Sequence, residues 1–251
     1  MIESSQAKSD FGVVLSLCDL TGNMVKPWAA AGYRCICVDL QHPDEPTIDG
    51  LITRMKADVR TWLPPLERYA AVFAFTPCTD LAVSGARWFA SKGLGRLSEA
   101  LAIADACKRI CEWSKAPWML ENPVSMLSTY WRKPDYSFDP YEYGGYGHPE
   151  DSYTKKTCLW VGGGFVMPEP HPVPPTQGSK MHLLPPSEDR ANLRSETPKG
   201  FAQAVFEANT GTVKASNCGP PDTTGNHTER MPIGIAVNMA KTTLKSEYPN
   251  L

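Results

Sequence analysis

The sequence predicts a doubly wound α/β fold on a mostly parallel sheet, with one small irregular region attached. Two observations carry this prediction. Runs at residues 12–18, 34–38 and 70–75 are apolar without alternation, as strands covered on both faces are. Segments of helical spacing separate them, and such alternation builds a parallel sheet. The first strand ends at Asp19-Leu20-Thr21-Gly22-Asn23, and a helix follows over residues 25–31 with Gly32 as its stop. The second strand, 34–38, ends in Asp39. A third, short strand precedes Asp58, and the fourth is 70–75. Leu97, Leu101, Ala104, Ile110 and Trp113 give a helical stripe within 94–113, and residues 117–123 form a short strand running into a turn.

From residue 130 to 147 the chain is aromatic and irregular, with Tyr141, Tyr143 and Tyr146, before a strand at 157–161. The prolines clustered between Pro168 and Pro186 exclude a regular helix or a central strand. Order resumes where Thr197 can cap a helix and Pro198 can take its first position. Residues 216–229 are polar and glycine-rich, and a last helix is expected over 233–244. Three regions follow: 1–165 as the main α/β part, 166–195 as a short proline-rich loop region, and 196–251 as a segment packing back on the first.

With 251 residues, 42% hydrophobic and 21% charged, the chain is long enough for a core and too apolar for wholesale disorder. A net charge of -2 argues against indiscriminate polyanion binding. No apolar run approaches a membrane span, and the first residues lack a signal-peptide plan, so a cytoplasmic protein without membrane contact is expected. The eight cysteines include no Cys-x-x-Cys pair and share no ligand spacing with the histidines, so no metal is expected.

The residues with chemical potential lie at strand ends. In an open parallel sheet, ligands sit at the carboxyl ends of the strands. Gly22 and Asp39 hold two such places: Asp39 can accept two ribose hydroxyls, and Asp58 ends the next strand where an adenine amino group would lie. Taken alone, each acid reads more readily as a solvated turn former. Thr76-Pro77-Cys78-Thr79 directly follows the strongest strand, so Cys78 is delivered to the ligand edge by a proline-fixed turn, unlike every other cysteine. A thiolate there would be a nucleophile. Glu121-Asn122-Pro123 ends the following strand after apolar Trp118-Met119-Leu120, a setting that raises a carboxyl and suits a proton donor.

The order Asp19-Leu20-x-Gly22, Asp39, Asp58, Thr76-Pro77-Cys78, Glu121-Asn122-Pro123, Gly145-Tyr146-Gly147-His148-Pro149 and Tyr153-Thr154-Lys155-Lys156-Thr157 resembles the DNA cytosine-5 methyltransferases. The resemblance implies a Rossmann-like catalytic domain of the S-adenosylmethionine-dependent type, plus a small target-reading part. It implies Cys78 as nucleophile, Glu121 as the acid at cytosine ring nitrogen 3, and Lys155 at the first arginine position of the family's Gln-x-Arg-x-Arg run, with Thr157 at the second. S-adenosyl-L-methionine would be the cofactor, held by Asp19, Thr21, Gly22, Asn23, Asp39, Asp58 and Pro77. DNA would be the partner, its base swung out of the duplex, with Arg87, Lys155 and Lys156 as nucleic-acid contacts; Lys92 reads as ordinary solvated charge. Residues 230–237 resemble the family's closing Gly-Asn-Ser/Ala-Val element. The family's first motif usually carries a Phe and two glycines after Asp-Leu, where this chain has Thr21-Gly22-Asn23-Met24. Thr76 replaces the first proline of Pro-Pro-Cys, and Pro123 replaces a valine. The reading region, about 163–194, is short, as would suit a phage or prophage enzyme. A free pyrimidine nucleotide or single strand as substrate, and an inactive nucleic-acid or protein binder of the same fold, remain alternatives.

Overall fold

A computed structural model describes residues 11–179, 187 and 190–210, apart from the side chains of 190 and 191. The expected element over 230–237 and the expected helix over 233–244 lie outside the described residues. Among the described residues eight strands form one sheet: β1 (Val13–Leu17), β2 (Arg34–Val38), β3 (Thr47–Asp49), β4 (Ile52–Met55), β5 (Tyr69–Phe75), β6 (Trp118–Pro123), β7 (Tyr136–Phe138) and β8 (Thr157–Gly162). Their order is β3-β4-β2-β1-β5-β6-β8-β7. β4, β2, β1, β5 and β6 are parallel neighbours, while β3 joins β4, β8 joins β6 and β7 joins β8 antiparallel. The mixed α/β fold with a mostly parallel sheet therefore agrees with the sequence, and the antiparallel edges add to it. β3 gave no signal because all three of its residues are exposed. β7 falls in the stretch that reads as irregular and aromatic.

The parallel strands are apolar throughout because both faces are covered. Leu15, Leu17, Ile36, Val38, Val72, Ala74, Trp118, Leu120 and Trp160 point into one core, shared with Ala104, Cys107, Ile110 and Cys111. Those last four lie on α2 (Phe89–Trp113), which starts upstream of the expected residue 94 and has a non-helical backbone at Gly93. Val14, Cys35, Cys37, Ala71, Phe73, Met119 and Leu159, the alternate residues of the same strands, form the second core. It is closed by Trp28 of α1 (Lys26–Ala30) and by Phe201 and Val205 of α5 (Lys199–Thr210). Each fully buried leucine or phenylalanine here contributes roughly 1.5–3 kcal/mol. Among the described residues between α2 and α5 lie the short helices α3 (Leu127–Tyr130) and α4 (Arg190–Ser195). Residues 168–179 form no helix or strand, as their prolines require. Among the described residues no helix is long and apolar enough to cross a membrane.

β1 and β5 are neighbours from which the chain winds outward in opposite directions, to β2 and β4 on one side and to β6 on the other. Their carboxyl ends flank the crevice where an open sheet of this kind takes ligands.

Candidate active site at the carboxyl edge of the sheet

The turn after β1 is built by Asp19. Its buried carboxylate accepts hydrogen bonds from the Ser16 hydroxyl (2.7 Å), the Thr21 hydroxyl (3.2 Å) and the Gly22 N–H (2.7 Å). Gly22 sits at φ 67°, ψ 14°, the left-handed region that favours glycine, and starts a single 3-10 turn over Asn23–Val25. Asn23 accepts a bond from Lys26 Nζ (2.8 Å) and donates to the Thr197 carbonyl (3.4 Å), fastening the approach to α5 against this turn. Asp19 and Thr21 thus act by shaping the loop, and the loop's backbone and Gly22 are what a ligand would meet.

Asp39 follows β2, its N–H bonded to the Met55 carbonyl (3.2 Å) and its carboxylate accepting from the Gln41 N–H (2.8 Å). Burial pushes its carboxyl up, and the Gln41 hydrogen bond opposes that. Asp58 is differently placed. Both its oxygens accept from the Arg60 guanidinium at 2.6–3.0 Å, which holds the carboxyl below its usual value. An adenine amino group at Asp58 would compete with Arg60. His42, which the sequence reading did not single out, is buried with Nε2 3.2 Å from the Asp19 carbonyl and joins the β1 and β2 turns.

The Thr76-Pro77-Cys78 turn leaves β5, and Leu81 and Ala82 N–H groups close it on the Cys78 carbonyl (3.1 and 2.8 Å). Phe75 is paired with Glu121 in the β5–β6 register, so the two segments leave the sheet side by side. They stay joined beyond it: Val83 N–H donates to the Val124 carbonyl (2.9 Å) and Met126 N–H to the Leu81 carbonyl (2.9 Å). Burial pushes the Cys78 thiol up, the Glu121 carboxylate adds to that, and Lys155 and Arg194 pull it down. Cys37 and Cys158 are each faced by one cation, Arg54 and Lys156 respectively. Burial alone pushes Cys35 up to about 12.

Glu121 Oε1 is buried without a hydrogen-bond partner among the described residues. Burial raises this carboxyl, with Lys155 opposing. Lys155 is set by its own N–H, which donates to Asp139 Oδ1 (2.7 Å), the residue that also caps the 3-10 turn over Pro140–Tyr143. The α4–α5 junction, Ser195 to Pro198, lies over Glu121 and Lys155 and leaves about 10 Å³ of space beside them, room for about one water molecule.

The structure thus brings Cys78, Glu121 and Lys155 together, and sets Asp19, Thr21, Gly22, Asn23 and Asp39 along the neighbouring strand ends. Pro77 is exposed on the turn between the two groups. Arg87 lies outside them, exposed, with its guanidinium 5.1 Å from the centre of the Trp88 ring. Lys156 is exposed beside the strand carrying Cys158. Lys92 is not ordinary solvated charge: its ammonium holds the Thr79 carbonyl (2.8 Å) and Asp80 (2.7 Å), stiffening the turn after Cys78. A larger cavity of about 310 Å³ lies beyond that pair, among Phe89, Leu97, Met126 and Tyr130. Its walls are mostly apolar and its charged residues are paired, Lys92 with Asp80 and Arg96 with Glu99, so among the described residues it has neither the free acid nor the thiol of the Cys78 site. Arg194 was not legible in the sequence, because nothing local to 190–195 ties it to residue 78.

No protein-family model matches this chain. No curated protein matches it either.

Proposed function

We propose that the chain is an S-adenosylmethionine-dependent methyltransferase acting on carbon 5 of cytosine in DNA, with Cys78 as nucleophile and Glu121 as acid. The observation that carries this reading is the junction of Cys78, Glu121 and Lys155 at two adjacent parallel strand ends, beside a glycine turn and the half-buried Asp39. The motif order of the cytosine-5 methyltransferases supports it, as does the doubly wound sheet.

Carbon 5 of cytosine is a weak nucleophile until a thiolate adds at carbon 6. Cys78 is a thiol at the ligand edge; burial and the Glu121 carboxylate raise it, and Lys155 and Arg194 oppose that rise. Electron density then moves toward ring nitrogen 3, where a protonated Glu121 neutralises it. Its burial keeps that proton available at higher pH than an exposed glutamate would. The residues at the β1 and β2 ends fit an adenosyl ligand: Asp39 can accept ribose hydroxyls, and the Gly22 turn lets a ligand approach the backbone closely. S-adenosylmethionine would supply the methyl group there and leave as S-adenosylhomocysteine, and loss of the carbon 5 proton with release of the Cys78 thiolate from carbon 6 would complete the turnover. The α4–α5 junction must move outward to admit a base, since the space beside Glu121 holds only about one water molecule.

The test is transfer of tritium from methyl-labelled S-adenosylmethionine to DNA, RNA and dCMP in parallel. Label in DNA is expected. Label in dCMP alone selects the free-nucleotide reading, and label in none of them supports the inactive-binder reading. Cys78→Ser is expected to abolish transfer and the covalent trapping of 5-fluorocytosine oligonucleotides. Glu121→Gln is expected to lower turnover roughly 10²–10⁴-fold with cofactor affinity unchanged.

A further inference from the structure

Two thiols that the proposed reaction does not use meet beside the turn after β1. Cys18 lies between β1 and Asp19, and its Sγ is 3.8 Å from Sγ of Cys107 on α2, 89 residues further along the chain. Both are free thiols. Cys107 is fully buried in the core under α2, while Cys18 is half-buried at the margin of that core, so Cys18 is the sulfur a small solute reaches. Cys35 and Cys37 belong to the other core, across the sheet from this pair.

A second observation falls on the same residue. The Cys18 backbone is at φ 54°, the left-handed region that a residue with a β-carbon occupies at a cost. The next residue, Asp19, holds the Ser16 and Thr21 hydroxyls and the Gly22 N–H, and its carbonyl meets His42. The sulfur contact and the strained backbone therefore lie one residue from the carboxylate that builds the Gly22 turn. A disulfide holds its sulfurs at about 2.05 Å, so oxidation of this pair has to close the gap. Cys107 is fixed by its helix and the core around it. Cys18, at the end of its strand in a conformation with lower-energy alternatives, is the partner that moves.

We propose that Cys18 and Cys107 are a redox-sensitive pair, closed to a disulfide by hydrogen peroxide, and that closure displaces Asp19 and opens the Gly22 turn. Cys18 gives up its proton and its sulfur attacks one peroxide oxygen. An S–O bond forms, the O–O bond breaks, and the departing hydroxide takes that proton to become water. Cys107 sulfur then attacks Cys18 sulfur: the S–S bond forms, the S–O bond breaks, and the hydroxide leaves as water with the Cys107 proton. Peroxide has taken two electrons, one from each sulfur. Two molecules of a small thiol such as glutathione reverse the step and leave as their own disulfide. The hydrogen bond to Cys107, burial and the Asp39 and Asp19 carboxylates all hold the Cys18 thiol up, so the pair rests protonated and stays reduced at low peroxide. The disulfide and the movement of the turn stand without the methyltransferase reading; only the loss of an adenosyl ligand's seat at that turn rests on it.

The full chain is treated with hydrogen peroxide, its remaining thiols are blocked with N-ethylmaleimide, and the unreduced digest is mapped by mass spectrometry. A peptide pair joined through Cys18 and Cys107 is expected, and dithiothreitol is expected to return both thiols. Amide hydrogen exchange over residues 19–23 is expected to quicken several-fold on oxidation and to recover with dithiothreitol, because the Gly22 N–H loses its carboxylate. In Cys107→Ala, peroxide is expected to leave that exchange unchanged. Cys18 and Cys107 left unjoined in wild type, or joined with exchange over 19–23 unchanged, would overturn the proposal, and neither result depends on the variant folding. A rise in Cys107→Ala equal to that of wild type would overturn it too. Failure of tritium transfer by the reduced chain, with the linkage and exchange results intact, would overturn the methyltransferase reading alone.

Discussion

Asn122 clamps Thr76: its buried side-chain amide donates to the Thr76 carbonyl (2.9 Å) and hydroxyl (3.0 Å), while that hydroxyl donates to the Glu121 carbonyl (3.3 Å). Thr76 precedes Cys78 by two residues and Asn122 follows Glu121, so this small network sets the distance between thiol and acid. A side-chain hydroxyl at residue 76 is needed for it, which gives Thr76 a structural task.

Asn122→Ala removes both donors and leaves the Thr76 carbonyl buried and unpaired. A loss of about 1–3 kcal/mol is expected in urea unfolding. Turnover is expected to fall with it, because Cys78 and Glu121 lose their common frame. A urea midpoint equal to that of wild type would show that the clamp contributes nothing to the fold.

Glu121 makes stability depend on pH in a definite direction. Burial raises its folded carboxyl above the unfolded value of about 4.3, so the folded chain keeps this proton to higher pH. The associated stability is fully present below the unfolded value and is lost as pH climbs through the folded one. Glu121→Gln lacks this titration. The urea midpoint of the variant is therefore expected to gain on wild type between pH 4 and pH 8, and a difference that stays constant over that range would refute the burial argument.

Gly22→Ala tests the turn after β1. A methyl group there would meet Cys37 Sγ at an ordinary 3.5 Å, so crowding is not the obstacle. The left-handed backbone is, at a cost of about 1–2 kcal/mol. Weaker S-adenosylmethionine binding by calorimetry is expected as well, because relaxing the strain would move the Gly22 N–H off Asp19.

Gly200 tests the docking of α5. Its N–H donates to Asp151 Oδ2 (2.8 Å), and an added methyl group would run into the Tyr143 carbonyl. Gly200→Ala is expected to cost about 1–3 kcal/mol by overpacking. Because Thr197 lies just before this helix and bonds to Asn23, faster iodoacetamide labelling of Cys78 is expected in the same variant. Unchanged stability and labelling would separate α5 from the site.

The sequence by itself determined the central strands and where they end. A strand apolar on both faces, such as 13–17 or 69–75, writes its double burial into its own residues, and a turn such as Thr76-Pro77-Cys78 is delivered wherever its strand stops. This made Cys78, Glu121 and Asp39 legible as candidates before any pairing was known. Only the tertiary structure decided which of them meet. The register that sets Phe75 against Glu121, the Asn122–Thr76 clamp and the meeting of Lys155 with Glu121 join residues far apart in the chain. Such meetings depend on how the sheet closes, and composition or periodicity near any one residue does not encode them. The same holds for Lys92, whose charge reads as solvated until the fold of residues 81–92 returns it to Thr79 and Asp80. β3 and β7 escaped for a related reason: short edge strands bury too little to leave a pattern, and hydrogen bonds to a neighbouring strand define them.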